Sequence, residues 1–153
     1  MKGWDFLFNF VLKFHQMSVR ELESVKAKYY AEAKHYMENA RTTLKAAGKE
    51  DRYYSDDKYV RTACGTAYLA VLKAIDGIFK IAGITRPKGR LSIEYYKENA
   101  SKLDKKLVNL LGSCYNILHL DGYYDGITSV KVISAGFEDA DEIVNMLGKR
   151  IGE

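Results

Sequence analysis

Apolar residues recur along this chain at the three-and-four spacing of helices with one buried face, and no segment carries the alternation of a half-buried strand. The clearest stretch is residues 58–83, KYVRTACGTAYLAVLKAIDGIFKIAG. Val60, Ala63, Ala67, Val71, Ala74, Ile78 and Ile81 form one apolar line along it. Tyr59, Cys64, Tyr68, Leu72, Ile75 and Phe79 form a second beside the first. Polar residues are left with a narrow strip of Lys58, Thr62, Thr66, Lys73, Asp76 and Lys80. A helix so poor in polar surface must be covered on most sides, and its alanines and Gly65 let neighbours approach closely. It is expected to be the central helix of a bundle.

The remaining elements follow from the same spacing and from their end signals. Ser18-Val19-Arg20-Glu21 reads as a capping box, with Met17 and Leu22 placed as its hydrophobic staple, and Gly48 ends the helix it opens. The polar linker KEDRYYSDD leads to Ser55 or Asp56 as the cap of the central helix. ITRPKGR, residues 84–90, holds the single proline and reads as the most flexible loop. A short helix is expected over residues 92–99. Ser101 and Asp104 then resemble a capping box for a helix carrying Leu103, Leu107, Leu110, Cys114, Ile117 and Leu118, which GYYDG at 122–126 should break. The last helix should start near Thr128 or Ser129, run to about Gly148, and bury Ile133, Phe137, Ala140, Val144, Leu147 and Ile151. Gly136 inside it costs ~1 kcal/mol against alanine, which suggests a close crossing or a kink. The fold class is therefore all-α: one antiparallel bundle domain over residues 18–153 with four long helices and a short one near Ser92.

Residues 1–17 form a separate apolar segment with the spacing of a helix. Trp4, Leu7, Phe8, Val11 and Phe14 share one face of it. Three roles stay open: packing on the bundle or on a second copy in a homodimer, lying on a membrane surface, or extending a chain that could also start at Met17. The second role has only Lys2 and Lys13 for basic charge.

Charge changes the picture by its distribution more than by its total of +4. Residues 84–106 hold seven Lys or Arg against three acids, and residues 121–153 hold three against seven. Such polarity can steer a protein partner or pair subunits. Asp139, Asp141 and Glu142 belong to what reads as the exposed face of the last helix. The two cysteines, Cys64 and Cys114, fall on apolar helix faces without CxxC spacing, as reduced core thiols would. No signal peptide and no uninterrupted membrane-length apolar run is seen, so a cytoplasmic location without a membrane span is expected.

His15, His35 and His119 are scattered over separate helices without metal-ligand spacing, so neither a metal nor another cofactor is expected. Tyrosine is the unusual residue: eight of the twelve stand in the doublets Tyr29-Tyr30, Tyr53-Tyr54, Tyr95-Tyr96 and Tyr123-Tyr124. Adjacent helical positions point about 100° apart, so one ring of each doublet can enter the core while the other seals its edge. The alternative is an aromatic and basic surface for a nucleic acid or a protein partner. Its candidates are Arg86, Lys88, Arg90, Tyr95, Tyr96, Lys97 and Lys102.

The segments YYAEAKHYMENARTTL, YVRTACGTAYLAVLKAIDGIFKIAG and LVNLLGSCYNILHLDGYY, with the last helix, resemble the helical layout of HEPN (higher eukaryote and prokaryote nucleotide-binding) domains over about residues 18–148. The resemblance extends to uncharacterised bacterial families of such bundles. It implies a metal-independent ribonuclease site in which an arginine precedes a histidine by a few residues. His119 stands where that histidine would be, but Gly112, Ser113 and Cys114 occupy the arginine's positions, and Tyr115-Asn116 replaces the arginine-asparagine pair. The implied chemistry lacks its fixed cation. The resemblance therefore implies a non-catalytic binding or self-associating module, with a degenerate nuclease site of His119, Tyr115 and Asn116 as the alternative.

Overall fold

The computed structural model describes residues 17–153. Five helices pack as a bundle, with one small hairpin between the first two. Helix α1 is a rod of three pieces: Val19–Val25, a π-helical turn Lys26–Tyr30, and Ala31–Ala46. Strands β1, Lys49–Glu50, and β2, Tyr53–Tyr54, follow, and then α2, Asp57–Ala82. Helix α3 is Ile93–Leu103. Helix α4 begins as Lys105–Cys114 and continues as π-helix through Tyr115–Tyr124, and α5 is Val130–Arg150.

Side-chain contacts fix the helix directions. Glu32 of α1 pairs with Lys73 of α2 at 3.4 Å, and Tyr29 lies against Gly77, so α1 and α2 run oppositely. Tyr68 meets His119, and Cys64 meets Gly122, so α2 and α4 do too. Ile117 meets Gly136, while Ser113 bonds Asp139, which sets α5 against α4. Gly136 thus marks a close crossing: a β-carbon there would stand 2.6 Å from Ile117 Cγ2.

Helix α2 is the centre of this arrangement. Every residue of its first apolar line is at most 1% exposed, and Cys64 and Ile75 of the second are fully enclosed. Tyr59 and Leu72 stay partly open at its margins. By length and composition α2 could also cross a membrane, contrary to the sequence reading, but 61% of its most apolar window is buried inside the bundle. Asp56 rather than Ser55 caps it, accepting from Lys58 N–H at 3.0 Å, and Gly83 ends it with φ 74°. Both cysteines are free and buried.

Three local expectations need correction. The 49–54 linker forms a hairpin, with Asp51 at φ 58° in its turn. That hairpin is held from outside: Tyr54 N–H donates to Thr128 O at 2.8 Å, and Val130 N–H to Arg52 O at 3.0 Å. Ser101 lies inside α3 and donates to Glu98 O, so Asp104 alone caps α4, accepting from Lys106 N–H at 2.7 Å. The short helix accordingly runs past residue 99 to Leu103. GYYDG does end α4, at Tyr124, though the helix first widens to π geometry from Tyr115 onward. Its end is held by Arg61 of α2, which donates to the carbonyls of Tyr123 and Tyr124 while pairing with Asp57 at 3.1 Å. Gly122 fits because a β-carbon there would collide with Cys64.

Burying each large aliphatic side chain of α2 contributes roughly 1.5–3 kcal/mol, and a carboxylate in its place would have no partner. Val71→Asp or Ile78→Asp should therefore abolish the cooperative thermal transition followed by circular dichroism. A soluble Val71→Asp protein with a sharp melt would contradict the central placement of α2.

Candidate binding groove

A groove of about 940 Å³ opens between α2, α4 and the 83–92 loop. Its floor is aromatic. Tyr68 of α2 stacks on His119 at 4.8 Å between centroids and 26° between planes. Tyr123 also lies nearly parallel to His119, 6.1 Å away at 13°. Tyr115 and Tyr124 complete the cluster at 5.2 and 5.1 Å from the imidazole. Local geometry explains the alignment, because residues 115, 119 and 123 share one side of the widened helix. Gly65 leaves the space over which Tyr123 lies, 3.2 Å from where a β-carbon would be.

Arginines supply the charge. Arg86 and Arg90 from the loop line the groove, together with Tyr96 at the start of α3. Arg90 is exposed, and among the described residues no carboxylate lies within ion-pair distance of it. Lys97 sits over the Tyr115 ring at 5.5 Å. Leu69, 52% exposed, adds an apolar rim. Burial holds the His119 pKa below the usual imidazole value, and Arg90 pushes it down further.

A second hollow, of about 650 Å³, lies beside the carbonyl end of α2 and shares Arg86 with the groove. Asp76, Phe79 and Tyr95 line it, with Met17 and Tyr29 from the N-terminal side. The Tyr96 hydroxyl donates to Asp76 Oδ1 at 2.9 Å, and Arg86 Nη1 stands 3.9 Å from Oδ2. Burial raises the Asp76 pKa, against the Tyr96 hydrogen bond and the charges of Arg86 and Lys73. The thiols are set apart from this chemistry: burial raises Cys64 to about 12 and moves Cys114 in the same direction.

The structure gathers Arg86, Arg90, Tyr96, Tyr115 and His119 at the groove. Tyr95 instead packs edge-on to Phe79 at 6.1 Å in the second hollow. Lys88 and Asn116 are exposed and line neither space, and Lys102 pairs with Glu98 at 3.9 Å. Trp4, Leu7, Phe8, Val11, Phe14 and His15 lie outside the described residues. Tyr68, Tyr123 and Gly65 were missed as groove residues; the spacing of Tyr115, His119 and Tyr123 was the available signal. The acidic side of α5 is not simply solvated: Glu142 pairs with Lys106, Asp141 with Arg41, and Asp139 accepts from Ser113. Two of the α5 acids are thus paired with cations of the same chain.

Residues 28–149 match a domain of unknown function (DUF5618). The chain belongs to the DUF5618 family. A protein of unknown function from Dyadobacter fermentans is 38% identical in sequence, and its solved structure superposes with a TM-score of 0.73 over 88% of this chain and 99% of that one. No functionally curated protein matches. In this DUF5618 chain the match takes in α2, α3, α4 and nearly all of α5, so it spans every residue lining the groove.

His119 provides a direct check. Its folded pKa is lowered, so the unfolded chain binds the proton more readily. The stability it contributes is present above the unfolded value of about 6.5 and is lost as pH falls through the folded pKa. The imidazole C–H resonance should titrate below about 6.5 and move up in Arg90→Ala. A midpoint at or above that value would contradict the described surroundings.

Proposed function

We propose that this chain is a non-catalytic binding module of HEPN-like build that holds a single-stranded nucleic-acid segment in the groove. The observation that carries this reading is the ring series Tyr68–His119–Tyr123 beside Arg90, which has no carboxylate within ion-pair distance among the described residues. Every nucleobase has a face that stacks on an aromatic ring, at roughly 1–3 kcal/mol per base, so such a surface tolerates many sequences. Arg86 and Arg90 would meet phosphates, and Lys97 would add charge at the edge. The internal pairing of the α5 acids lessens their repulsion of the strand.

Fluorescently labelled oligouridine, titrated at low and moderate salt, is the test. Affinity should fall with salt at a log-log slope of roughly −0.7 per phosphate contacted. Tyr123→Ala should weaken binding about 5- to 150-fold, the equivalent of one stacked base. Arg90→Glu should weaken it and flatten the salt dependence. Undetectable binding at low salt removes the reading.

One observation favours a second reading, a metal-independent ribonuclease. Arg90 brings a guanidinium from the loop into the field of His119, in place of the arginine that α4 lacks. Neutral His119 would take the proton of a ribose 2′-hydroxyl as its oxygen bonds the adjacent phosphorus, the P–O5′ bond would break with the 5′-oxygen leaving protonated by water, and Arg90 would stabilise the charge growing on the phosphoryl oxygens. The binding module should leave labelled RNA intact; cleavage by the wild type and none by His119→Ala would decide for the enzyme.

A further inference from the structure

The two hollows meet at Arg86, and its surroundings are unequal on the two sides. Asp76 is fixed: it stands on the rigid core helix α2, its side chain is only 16% exposed, and Oδ1 is held by the Tyr96 hydroxyl at 2.9 Å. Arg86 is on the loop beyond Gly83, and its side chain is 55% exposed. Their separation of 3.9 Å is an ion pair without hydrogen-bond contact. A phosphate oxygen in the groove could take the same guanidinium at about 2.7–2.9 Å, the distance of a charge-assisted hydrogen bond. Asp76 would keep the Tyr96 hydroxyl and the field of Lys73, whose ammonium is also committed to Glu32 at 3.4 Å.

We infer that Arg86 has two stations, Asp76 in the empty protein and a bound phosphate in the occupied groove, and that Asp76 thereby restrains the groove's affinity. The inference rests on the groove being the nucleic-acid site. Asp76 is then a positioning residue, acting on the ligand through Arg86. Tyr96 joins the two spaces, because its ring lines the groove while its hydroxyl holds the carboxylate of the second hollow. An anion in the groove competes with a carboxylate that cannot follow the arginine, so part of the attraction of Arg86 is withheld from the ligand.

A double-mutant cycle separates this from a simple field effect. Dissociation constants for labelled oligouridine are measured with the full chain, Asp76→Asn, Arg86→Ala and the double variant. Asparagine keeps an acceptor for Tyr96, and thermal melts establish that each variant is folded. Asp76→Asn should tighten binding about fivefold or more, the lower end of ordinary coupling between sites. In the Arg86→Ala background the same change should alter affinity less than about twofold. Equal tightening in both backgrounds makes Asp76 a fixed repulsive charge and overturns the inference, as does no tightening in the wild-type background. If neither the wild type nor Asp76→Asn binds at low salt, the nucleic-acid reading fails and this inference with it. Binding by Asp76→Asn alone supports both. Should Asp76→Asn not fold, the Arg86 side-chain N–H resonance of the wild type gives the answer: it should shift when oligouridine is added at saturation, and an unchanged resonance overturns the two stations.

Discussion

The bundle depends on how closely its neighbours can approach α2. That helix offers small residues on several sides at once: Gly77 faces Tyr29 and Leu147, Cys64 sits under Gly122, and Gly65 accommodates Tyr123. Close approach maximises dispersion contacts and leaves no room for water between the helices. It also draws α4 near enough for Arg61 to reach the last carbonyls of the π segment. The ring series of the groove lies beside that close approach, since Cys64, seated under Gly122, is one turn from Tyr68, which stacks on His119.

Much of the fold was legible because burial imposes a period on sequence. The line from Val60 to Ile81 is buried throughout, and Ser18, Asp56, Ser92 and Ser129 each accept the capping hydrogen bond of the helix that follows. What the period could not convey was anything settled by a distant partner. The hairpin at 49–54 is anchored by Thr128 and Val130, and the path through GYYDG is held by Arg61 and Cys64. Local propensity alone favours a turn at both places.

The site was half legible for the same reason. Arg86, Arg90, Tyr115 and His119 stood out by charge and type, yet nothing in the sequence says that the proline loop lies over α4. The tyrosine doublets were a partial guide. Tyr54 and Tyr96 are buried beside more open partners, as expected, but Tyr123 and Tyr124 are both exposed and Tyr29 and Tyr30 are both half-buried. In each departure the doublet lies in a π-helical segment, where adjacent side chains no longer follow α-helical geometry.

The π segment has a consequence for how this chain can vary in length. A π turn closes over one residue more than an α turn, so losing one residue between Tyr115 and Tyr124 would narrow the turns and change which side chains face α2. Tyr123 would leave the space over Gly65, and a side chain would enter the gap beneath Gly122 that Cys64 now fills. Exchange of one ring for another would disturb the groove far less. The surplus residue stored in the wide turns is therefore a spacing element, and the number of residues in this segment constrains the groove more tightly than their identities do.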